Sequence, residues 1–120
     1  MKMLSVLLAL AIGQPLSPGD LDRVRSDYML AMGDSKRYAK MIAWLETRKE
    51  DPLCLDYLGG FRAINARHLS GPLRKLQSFR RGTAEIDQAV LLRPKDVEIR
   101  FIRHSIQLGA PGDTWLSGQH

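Results

Sequence analysis

Residues 72–108, PLRKLQSFRRGTAEIDQAVLLRPKDVEIRFIRHSIQL, decide the fold. Leu73, Leu76, Phe79, Thr83, Ile86 and Val90 recur at spacings of three and four, straight through Gly82, which is the period of one helix face. Pro94 lacks an amide donor and disfavours helical geometry at Arg93, so this helix is expected to end at Leu92 or Arg93. Asp96 then opens a last helix from Val97 to about Leu108. That helix is apolar on two sides, with Val97 and Phe101 on one and Ile99, Ile102 and Ile106 on the other. A helix buried on one flank does not need both. The flank of Ile99, Ile102 and Ile106 is therefore expected to be exposed on the helical array and covered either by Trp115 and Leu116 of the tail or by another protein molecule.

Upstream, Ser70-Gly71-Pro72 is a helix break, with Gly71 able to end one helix and Pro72 placed to begin the next. Asp51-Pro52 gives the same cap-plus-proline signal for a third helix carrying Leu53, Tyr57, Leu58, Phe61, Ile64 and Ala66. Gly59-Gly60 inside it costs about 1 kcal/mol per glycine relative to alanine, which calls for the close approach of a neighbouring helix. Asp34 or Ser35 caps a second helix with Tyr38, Met41, Ile42 and Leu45 on its face and Trp44 beside them. Ser17, Pro18 and Asp20 start the first, whose face is Leu21, Val24, Tyr28, Ala31 and Met32 before Gly33. The expected fold class is all-α: an antiparallel array of about five helices over residues 17–108, followed by an irregular tail over 109–120.

Residues 1–13, MKMLSVLLALAIG, have the form of a signal peptide, with Lys2 as the positive end, an apolar core from Leu4 to Ile12, and Ala11-Ile12-Gly13 at the cleavage position. A membrane-spanning helix needs about 20 apolar residues, so no transmembrane span is expected in the mature chain. The expected location is the periplasm or cell envelope.

A chain of 120 residues with 44% hydrophobic and 26% charged content has the makings of one folded domain. The formal charge is +5, which favours anionic partners through a field rather than a site. Export makes nucleic acid an unexpected partner. The single cysteine, Cys54, excludes an intramolecular disulfide and a cysteine zinc cluster, and it is expected as a small buried hydrophobe. His68, His104 and His120 show no metal-ligand spacing, and no nucleophile, phosphate-loop or dinucleotide motif occurs. No catalytic residue, cofactor or metal is assigned.

Gly82, Ile86, Ala89 and Pro94, in GTAEIDQAVLLRPKDVEIRF, resemble the second helix and closing proline of a tetratricopeptide repeat. The match covers about one third of the chain. The positions that would carry the first helix of that repeat, Ala66, Leu69, Ser70 and Leu73, depart from its pattern, as do Arg100, Arg103, His104 and Gln107 after the proline. The layout is also similar to that of small exported proteins of Bacteroidota, a resemblance that implies no activity and carries over no residue.

These observations lead to an expected non-catalytic scaffold that binds a protein or peptide partner. Its candidate surface is Arg74, Lys75, Arg81, Arg100, Arg103 and His104, together with Ile99, Ile102 and Ile106, where the last helix could also pair with a second copy. Two alternatives remain open. One is a small envelope enzyme or ligand carrier with an interior pocket around Tyr57, Phe61 and His68; the other is a basic surface for anionic lipid or glycan.

Overall fold

A computed structural model describes residues 17–30 and 34–109, and among them the chain is all-α. The expected signal segment, residues 1–13, and the tail beyond Gly109 lie outside the described residues. Five α-helices follow one another: α1 (Pro18–Leu30), α2 (Ser35–Glu46), α3 (Pro52–Asn65), α4 (Pro72–Leu92) and α5 (Val97–Gly109), with a short 3-10 turn, Ala66–His68, after α3. No helix among the described residues is long and apolar enough to cross a membrane.

Local chemistry sets the helix starts. Ser17 Oγ accepts from the Asp20 amide at 3.2 Å, Asp34 Oδ1 from Arg37 at 3.1 Å, and Asp51 Oδ1 from Leu53 at 2.9 Å. Asp96 Oδ1 accepts from both Glu98 and Ile99. Each bond satisfies a donor that the first helical turn leaves without a partner, a contribution of about 1 kcal/mol per cap. Gly71, at φ 82, occupies left-handed backbone that a side chain would strain, and Pro72 starts α4 directly after it.

Helix α3 is the centre of the molecule and touches all four other helices. Its sequence is apolar almost all round, as a helix surrounded on every side must be. Against α4 the backbones nearly touch: a methyl on Gly82 would lie 2.7 Å from Ala63 N and press on Gly59 O, and one on Gly59 would lie 2.8 Å from the Ile86 side chain. The pairs Gly59 with Ile86 and Ala63 with Gly82 show that α3 and α4 run antiparallel. Gly60 makes room in the same way for Tyr28 of α1 and Ile102 of α5. The pairs Tyr57 with Glu98 and Gly60 with Ile102 place α5 beside α3 in the same direction.

Two expectations are corrected. Ile99, Ile102 and Ile106 are not an exposed flank; they are buried in the core, because the notch at Gly60 admits α5 on that side. The flank left in solvent is the opposite one, with Val97 81%, Phe101 49% and Leu108 75% exposed. Leu73, expected on the core face of α4, is exposed because that face meets α3 only further along the helix.

Cys54 is fully buried, and burial, assisted by the nearby Asp51 charge, raises its thiol to about 12. A thiol so placed is both shielded and protonated. At pH 8 the folded protein should therefore resist a thiol reagent that labels it completely in denaturant. Labelling of the native chain at the denatured rate would contradict this packing.

Candidate functional site

The first half of α4 carries Arg74, Gln77, Ser78 and Arg81 at helical spacings of three, four and seven, so their side chains form one row. Together with Arg62 of α3 and Leu69 they line an open cleft of about 240 Å³. Arg62 forms its floor. Its Nε donates to Glu85 Oε1 at 2.7 Å, its Nη2 bonds Glu46 Oε1, and its carbonyl accepts from Ser78 Oγ at 3.0 Å. Both partners are needed, because a buried guanidinium left unpaired would cost several kcal/mol.

Glu46 also takes Arg81 Nη2 at 3.1 Å and Lys49 Nζ at 3.4 Å. One carboxylate thus gathers three cations from α3, α4 and the segment after α2. Arg74, exposed at the mouth, has no ion-pair partner among the described residues. The cleft is therefore positive at its mouth and held rigid at its floor.

Arg100, Arg103 and His104 form a second group, lining with Gln107 an open cleft of about 220 Å³ on α5. Arg103 Nε lies 3.5 Å from Asp87 on α4. The two clefts have no lining residue in common, so Arg74 and Arg81 are not brought together with the α5 residues. Lys75 is half-buried and lines neither. A third cleft, between α1 and α2, is larger at about 450 Å³, but there Arg37 is paired with both Asp27 and Asp34, which offsets its charge.

The proposed interior around Tyr57, Phe61 and His68 is not one space. Tyr57 and Phe61 each stand edge-on to Tyr28, with ring centroids 5.5 and 5.4 Å apart, and Tyr38 closes on Phe61 at 5.3 Å, so the rings fill the core. His68 is exposed outside it. Among the described residues no group of three or more His, Cys, Asp and Glu is arranged to hold a metal ion.

A polar cluster escaped the sequence reading. Asp56, in the middle of α3, is 0% exposed, and among the described residues neither carboxylate oxygen has a hydrogen-bond partner. Burial, with the charges of Asp96 and Glu98 added, pushes its carboxyl up to about 9, so it is neutral at physiological pH. Glu98 behaves oppositely: two bonds from Arg25, at 2.7 and 2.6 Å, and one from Tyr57 at 2.5 Å hold its carboxyl below the usual range. Beside them Tyr28 shares a 2.8 Å hydrogen bond with Ser105, and burial lifts its phenol to about 12. The sequence did contain a signal for Asp56. A helix that is apolar on every side buries whatever acid it contains.

Comparison with known protein families, with curated proteins and with solved structures returned no match.

Proposed function

We propose that this chain is a non-catalytic helical scaffold, an exported array similar to tetratricopeptide repeats, that binds an acidic segment of a partner protein in the α3–α4 cleft. The observation that carries it is the Arg74, Gln77, Ser78 and Arg81 row set over the fixed Arg62. At about 240 Å³ the cleft is smaller than the roughly 300–1,000 Å³ usual for a small-molecule or cofactor site, and it suits one or two side chains of a peptide. Arginine pairs with a carboxylate through two parallel bonds, and the exposed Gln77 amide between Arg74 and Arg81 can donate to and accept from a peptide backbone. The up-down-up order of α3, α4 and α5 supports the repeat-like description, since α4 is antiparallel to α3 and α5 is parallel to it.

The test is titration of the protein with a fluorescent glutamate-rich peptide, alongside vesicles of anionic and of neutral lipid. Arg74→Glu should weaken peptide binding at least severalfold at unchanged helicity, while Arg100→Glu, in the other cleft, should leave it nearly intact. Equal binding by Arg74→Glu and the parent protein overturns the assignment. Salt-sensitive binding to anionic vesicles without any to peptide would select a lipid-headgroup surface instead.

A further inference from the structure

Helix α5 has two apolar stripes, and the fold uses one. Ile99, Ile102 and Ile106 face the core, and on the opposite side Val97, Phe101 and Leu108 lie within about 40° of one another around the axis. We propose that this exposed stripe is the docking site for the chain's own segment 110–120, with Trp115 seated at Phe101 and Leu116 towards Val97.

Three observations choose this occupant over a second copy. The first is reach. Pro111 cannot continue the helix, and an extended chain from Gly109 brings Trp115 as far as about 20 Å, whereas Phe101 lies only about 12 Å back along the axis. The second is charge. Arg100 borders the stripe beside His104 and has no ion-pair partner among the described residues, and the segment brings Asp113, whereas a second copy would bring its own Arg100 to the same face. The third is area. Three partly exposed side chains present well under the roughly 800 Å² per partner of a stable dimer. A tethered segment needs no such area, because its effective concentration is about millimolar.

The segment's own composition agrees with this seat. Trp115 and Leu116 are its two large apolar side chains, adjacent and preceded by Gly112, which allows the chain to turn back.

The experiment is fluorine NMR on the full chain carrying 5-fluorotryptophan at Trp44 and Trp115, the resonances assigned with Trp115→Phe. Because Phe101 is half-exposed and outside the core, Phe101→Glu should leave the helical circular dichroism in place. The expected result is a Trp115 resonance displaced from that of free indole in a monomer, which Phe101→Glu returns to the free position while the Trp44 resonance stays. A Trp115 resonance already at the free position overturns the proposal. So does one that Phe101→Glu does not move. A concentration-dependent dimer abolished by Phe101→Glu overturns it in favour of a second copy. Should Phe101→Glu disturb the fold, Val97→Glu, at the most exposed position of the stripe, gives the same reading.

Discussion

Replacing Asp56 with asparagine is expected to stabilise the fold strongly at pH 8 and hardly at all at pH 4. The carboxyl is buried without partners, and its folded-state value is raised to about 9, against an ordinary value of about 3.9 in the unfolded chain. As pH rises, the unfolded chain gives up this proton first. Between about pH 4 and pH 9 the folded chain thus holds one proton more, and stability falls by about 1.4 kcal/mol per pH unit through that window. By pH 7 the loss is on the order of 4 kcal/mol. Asparagine has similar shape and a similar unmet need for partners, but it does not titrate. Urea denaturation of both proteins at several pH values is the measurement. Parallel stability curves for the two proteins would show that Asp56 finds a partner or water in solution.

Gly82→Ala should do the reverse and cost about 3 kcal/mol, although alanine is favoured in an isolated helix by about 1 kcal/mol. The added methyl meets backbone atoms of α3, Ala63 N at 2.7 Å and the Gly59 carbonyl, and neither can swing away as the end of a side chain could. The two helices must separate along the contact, which loosens Ile86 and Ala89 from the core as well. Gly19→Ala is the control. Among the described residues nothing lies within 4 Å of the position its methyl would take, so propensity alone should act there, and stability should stay level or rise slightly. Equal midpoints for Gly82→Ala and the parent protein would mean that α3 and α4 do not approach so closely.

Helix boundaries were legible in the sequence because capping is decided within a few residues. Asp34, Asp51, Pro72 and Asp96 act where the local pattern put them, whereas Gly71, expected to end the preceding helix, instead leads into α4, because α3 already stops at Asn65. The close approach implied by Gly59, Gly60 and Gly82 was legible too, since glycine inside a helix is costly unless a neighbour uses the space. The choice between the two stripes of α5 was not. Both carry apolar residues, and the decision is made by Gly60 and Tyr57, some forty residues away.

The candidate site shows the same division. The row of Arg74 and Arg81 follows from helical period, whereas the Arg62–Glu46–Glu85 floor depends on three separate helices and leaves no local trace. The same limit explains why the basic residues of α4 and α5 looked like one surface. Sequence gives their charge, and only the packing gives the two directions in which they point.

Arg25 bonds Glu98, and Tyr28 bonds Ser105, so the first described helix is fastened to the last. A linear repeat array touches only its neighbours and frays from its two ends, one unit at a time. Here the first and last described helices are joined to each other over α3, so neither opens without breaking its bonds to the other. Amide hydrogen exchange should then give α1, α3 and α5 one shared opening free energy instead of a gradient along the chain, with cooperativity set by ring closure and not by length.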